Sequence, residues 1–128
     1  MSKTPKTPDL AAPDLRQRPP RSPRVRLGGY VLLPRCLDKG RATLAGQNGE
    51  YHYACPMDQH FLNYAGIDPD QLSEELAAGT GDSQILEWVE ANARHKRAPW
   101  EIVQWSSYHE GRAPSDYETR EYFNDLPP

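Results

Sequence analysis

Ile67-Asp68-Pro69-Asp70-Gln71-Leu72 holds three separate helix-start signals in six residues. Asp68 supplies a carboxylate for the backbone N–H groups that a helix start leaves without partners. Pro69 has its φ preset for the first turn and gives up an N–H that no carbonyl would have accepted there. Gln71 stands three residues after the cap, where a side chain can reach back in a capping box. The pattern predicts a helix from Pro69 that buries Leu72 and Leu76, turns Glu74 and Glu75 to water, and stops at Gly79.

The same punctuation recurs on both sides. Cys55-Pro56 opens a helix carrying Met57, Phe61, Leu62, Tyr64 and Ala65, with Gly66 as its left-handed stop. Asp82 is read as the cap of a helix with Ile85, Leu86, Trp88, Val89 and Ala93. Pro99 starts another with Trp100, Ile102, Val103 and Trp105. Ser115-x-x-Glu118 reads as a further capping box leading into Tyr117, Tyr122 and Phe123. Ser22-Pro23 reads as a helix start too, with Leu27, Tyr30, Val31, Leu37 and Leu44 on one face and a kink or break at Pro34. Residues 50–54 alternate enough to be a short strand or an extended loop. The fold class is therefore all-α: a small irregular bundle of five to six short helices, with at most one short extended segment near residues 50–54.

Length and composition allow one domain. The chain has 128 residues, of which 37% are hydrophobic, enough for a single modest core. Six of its 13 prolines fall within the first 23 residues, which excludes regular structure there. Residues 1–13 read as a disordered tail, and residues 14–128 as one helical domain that includes a Pro/Arg-rich extended arm at 14–23. No stretch reads as a secretory signal or a membrane span. Two cysteines, Cys36 and Cys55, fit a reduced cytoplasmic setting better than a disulfide scaffold.

Charge is segregated. Residues 1–41 carry ten Lys and Arg against three acids, and residues 42–93 carry nine acids with no Lys or Arg. Either the arginines pair with the acidic middle of the same fold, or they form a surface for a polyanion. The overall pI of about 5.8 argues against a dedicated nucleic-acid binder.

The run from Asp14 to Leu72, with RPPRSPR, LGGY, LPR-x-LDK-x-RA, GEY and the GID helix start, and GTGDSQILEWV after it, resembles an uncharacterised bacterial family, domain-of-unknown-function family 5069. The resemblance runs from Asp14 to near Val89. It implies that the arm belongs to the folded unit, and it brings no activity, substrate or catalytic residue with it.

The densest set of reactive side chains is His52, Cys55, Asp58 and His60. Cys55 precedes a helix start, where free amides and the helix dipole favour a thiolate. His52 or His60 would serve as its base and Asp58 would orient it. The spacing matches no standard metal pattern, so no metal and no cofactor is expected, and the competing reading of Cys55 is a packed apolar residue. Arg24, Arg35, Lys39 and Arg41 are candidates for an anion pocket; Arg35 and Lys39 share a helix face, which reads more simply as solvated. Aromatic residues crowd the C-terminal half, and any left exposed would mark a protein partner or a homodimer interface. The segment from Gly111 onward is the expected docking element. Three functions stay open: a helical binding or protein-interaction module, a small enzyme using Cys55 with His52 or His60 in thiol or metal chemistry, and an anion or nucleic-acid accessory protein using the basic first third. No membrane partner is expected.

Overall fold

The computed structural model describes residues 12–112. Within them the chain forms a two-stranded antiparallel hairpin, β1 (Arg26–Leu27) and β2 (Tyr30–Val31), followed by five helices. These are α1 (Leu33–Leu44), α2 (Pro56–Ala65), α3 (Pro69–Ala77), α4 (Asp82–Asn92) and α5 (Pro99–Gly111). The all-α bundle is as expected, and residues 50–54 run as loop and turn. The helix expected at Ser115 lies outside the described residues.

Three of the proline starts act as read. Pro56, Pro69 and Pro99 each occupy the first turn of their helix. Asp68 caps α3 by accepting the Asp70 N–H at 2.8 Å, and Gly66 ends α2 at φ +72°. Two readings fail. Ser22-Pro23 begins a turn, in which Ser22 Oγ accepts the Arg24 N–H at 3.1 Å; the helix starts ten residues later, with Pro34 inside its first turn instead of breaking it. The reason lies in Gly28 and Gly29. Both have positive φ (+59° and +87°), the signature of a two-residue hairpin turn, and this pairs Arg26 with Val31 and Leu27 with Tyr30. Asp82 is the second misreading. Gly81 occupies the cap position of α4, and the Asp82 carboxylate reaches Arg21 and Arg41 instead.

Helix α1 is the centre of the molecule. Every residue from Leu33 to Ala42 is buried, and the helix touches β1, α2 and α3, while β2 lies against α5. Leu44, expected on the buried face, is exposed at its end. One core joins Tyr30, Val31, Leu33, Leu37, Phe61, Leu62, Leu72, Ile85 and Val89. Ser106, fully buried on α5, staples the hairpin: its hydroxyl accepts from Val31 N–H and donates to the Gly29 carbonyl. Among the described residues no helix is long and apolar enough to cross a membrane.

Candidate functional site

A helix buried on all sides should be apolar, yet α1 carries Arg35, Asp38, Lys39 and Arg41 into the interior. Each meets chemistry from another element. Lys39, 0% exposed, places Nζ 3.0 Å from Cys55 Sγ and 3.3 Å from Oδ1 of Asp58, itself 1% exposed. Cys36 and Lys39 are one helical turn apart on α1, and Cys55 and Asp58 are one turn apart at the start of α2, so two i, i+3 pairs face each other. Burial pushes the Cys36 thiol well above its ordinary pKa, and the neighbouring Asp58 carboxylate adds to the effect.

The loop entering this cluster is held in an unusual conformation. Ala54 has φ +61°, which costs a residue with a Cβ free energy on the order of 1 kcal/mol. Asp58 Oδ2 accepts the Ala54 N–H at 2.9 Å, and Gln59 Nε2 donates to the Ala54 carbonyl at 3.1 Å. Asp58 therefore fixes the backbone that presents Cys55 and, with its other oxygen, faces Lys39. Tyr53, whose hydroxyl donates to the Pro69 carbonyl, covers the cluster beside Gly40, where an added Cβ would lie 3.2 Å from its ring and 2.5 Å from Leu76.

Of the residues singled out in the sequence, the structure brings Cys55 and Asp58 together and adds Lys39, which had been assigned to an anion pocket. His52 is half-buried in the loop, and His60 is exposed on α2, its ring 5.1 Å from that of His109. Among the described residues no group of three or more His, Cys, Asp or Glu could hold a metal ion. The anion candidates do not converge on a solvated pocket. Arg24 is exposed on the turn, Arg35 donates to the Arg21 carbonyl at 3.0 Å, and Arg41 donates to Asp82 at 2.7 Å and to the Thr80 carbonyl at 3.0 Å.

The second notable surface is the outward side of α5. Trp100 is 64% exposed, Val103 49% and Tyr108 65%, and with Gln104 and Ser107 they form an uncharged stripe. Its inward side carries Ile102, Trp105, Ser106 and His109. Beside the stripe a cleft of about 370 Å³ opens between Gly28, Gly29, Glu90, Lys96, Ile102 and Val103.

The order of these features can be compared with known sequences. The model of a domain of unknown function (DUF5069) matches residues 17–128. The chain belongs to this family. A search of curated proteins finds no match to it. The DUF5069 match begins at residue 17, inside the arm, and so takes in Arg21, whose guanidinium bridges Asp38 and Asp82. It also takes in both the Lys39–Cys55–Asp58 cluster and the α5 stripe. Sequence reasoning missed Lys39 as a partner of Cys55 because their contact joins residues 16 apart on elements whose packing no local pattern reports. The one available signal was Lys39 lying between the apolar positions Cys36, Leu37 and Ala42 of the same helix.

Proposed function

We propose that this DUF5069 chain is a protein-interaction module whose docking surface is the outward face of α5, and that its occupant is a second copy of the chain. The observation that carries the reading is the exposed Trp100, Val103 and Tyr108 on one side of a helix whose other side is already packed in the bundle, so that large apolar and aromatic surface is left facing water. Tryptophan and tyrosine are also the residues that dominate interface energies.

The stripe favours a copy of itself because it carries no charge: a two-fold axis sets each residue against its own kind or a near neighbour, and uncharged residues incur no repulsion there. An antiparallel pairing of two α5 helices about Gln104 brings Trp100 of each copy over Tyr108 of the other, since both stand four residues from the centre. The rim is polar, with the Arg26–Glu110 pair at one edge. The polyanion reading draws less support, because Arg21, Arg35 and Arg41 are engaged by carboxylates and carbonyls of the same chain. Two buried cysteines outside any disulfide support placement in a reducing compartment, the bacterial cytoplasm. The buried Leu15, whose N–H donates to the Gln47 carbonyl at 2.8 Å, supports counting the arm at 14–23 as part of the folded domain.

Sedimentation velocity of the full chain across micromolar concentrations tests the proposal. A reversible dimer is expected. Trp100→Glu should weaken it about thirty-fold or more, corresponding to about 2 kcal/mol at a hot spot, with an unchanged far-ultraviolet spectrum. A chain that stays monomeric throughout, or a dimer indifferent to Trp100→Glu, overturns it.

A further inference from the structure

The interaction reading leaves the interior pair Lys39 and Cys55 without a task. A buried lysine–aspartate pair is a costly way to fill space, since apolar side chains of similar volume commonly do as well or better. What sets this pair apart is chemical. An amine nitrogen and a thiol sulfur are held 3.0 Å apart, with a carboxylate 3.3 Å from the nitrogen and a loop braced by Asp58 and Gln59 on either side of the Ala54 peptide. Cys55 is buried with 7% of its surface exposed, and the co-reactant the site would take, dioxygen, is small and apolar.

We propose that Lys39 and Cys55 are an oxidation-dependent cross-linking site, in which one oxygen atom from dioxygen bridges sulfur and nitrogen as Sγ–O–Nζ. The balance is simple. The lysine ammonium first passes a proton to Asp58. The thiol then loses its S–H hydrogen and the amine loses one N–H hydrogen. One oxygen atom forms the S–O and O–N bonds, and the other leaves as water with the two hydrogens. Sulfur and nitrogen each give up two electrons, and dioxygen accepts four. Two equivalents of a dithiol reverse the change, returning thiol, amine and a second water.

The geometry selects this product over its rivals. An oxygen atom fits between the two partners nearly where they stand, whereas a direct S–N bond would require them to close by more than an ångström. A disulfide with Cys36 would draw on a thiol that its buried site keeps protonated. The bridge would tie the middle of α1 to the first residue before α2 and lock the strained Ala54 loop between them.

Intact-mass measurement of the full chain decides the matter. Protein reduced with dithiothreitol under nitrogen, then desalted into air-saturated buffer, is expected to gain about 14 Da, one oxygen added and two hydrogens lost, with sulfur at the sulfenate level. Dithiothreitol should remove the gain. In a tryptic digest the segments bearing Lys39 and Cys55 should travel as one species, with cleavage after Lys39 lost. Cys36→Ser should retain the shift, while Cys55→Ser and Lys39→Arg should abolish it. Three wild-type results overturn the proposal without any variant having to fold. These are no gain under air, a loss of about 2 Da with Cys36 linked to Cys55, and a gain of about 16 Da on unlinked peptides.

Discussion

His109 is buried on the inward side of α5, its ring 4.6 Å from Trp105 and 5.1 Å from Tyr108 and His60. Burial pulls its pKa down from 6.5 to about 4, and the nearby His60 and Arg112 push in the same direction. The folded protein therefore holds a neutral imidazole where the unfolded chain holds a charged one below pH 6.5. The stability this represents is complete above pH 6.5 and is lost as pH falls toward 4, by an amount on the order of 2–3 kcal/mol. Asp82 acts in a lower window. Burial raises its carboxyl, but hydrogen bonds from Arg21 and Arg41 outweigh that and hold it below 3.8, so its contribution disappears only as pH drops through that region. Urea denaturation at pH 7 and pH 4.5 separates the two. The wild type is expected to weaken markedly at the lower pH, and His109→Gln to show a flatter dependence; equal slopes would remove His109 as the source.

At the scale of elements, the hairpin rather than a helix cap decides how the N-terminal third enters the bundle. Gly28 and Gly29 accept positive φ, and an added Cβ on Gly28 would stand 2.4 Å from Leu86 Cδ1, with two further Leu86 atoms within 3.1 Å. Gly28→Ala thus combines a left-handed backbone with a contact that the Leu86 side chain must shift to relieve. A loss of about 1–3 kcal/mol is expected, read as a lower urea midpoint at unchanged m-value; a neutral or stabilising result would mean that the turn tolerates a side chain. The same comparison explains what was legible in the sequence. Proline starts and the Asp68 cap act within one turn of chain, so α2, α3 and α5 could be read directly. Ser22-Pro23 carries the same local signal, but the Gly-Gly turn and the Ser106 staple, which reaches across 75 residues, override it. Asp82 also looks like a cap, and only its distant arginines show otherwise. Cys55 and Asp58 were found as a pair of reactive types, while Lys39 was read as solvated because its burial depends on helices packed on every side of α1.

For the whole molecule, the segregated charges resolve into a clasp. Arg21, from the basic first third, donates to Asp38 on α1 at 3.0 Å and to Asp82 on α4 at 2.9 Å, and Arg41 approaches the same Asp82 from α1. The arm also makes a main-chain bond from Leu15 to Gln47 and buries the Leu15 side chain. Exposed ion pairs contribute little singly, but here Asp38 and Arg41 are largely out of water, and removing Arg21 would take from the largely buried Asp38 its ion-pair partner. Two truncations distinguish a wrapped arm from a passive leader. A chain lacking residues 1–13 is expected to melt within about 2 °C of the full chain. One lacking residues 1–26 loses Leu15, the Arg21 clasp and strand residue Arg26, and a loss of about 2 kcal/mol corresponds to a drop of roughly 8–16 °C for a domain of this size. Differential scanning calorimetry of both gives the answer, and coincident melting temperatures would mean that the arm lies on the bundle without holding it together.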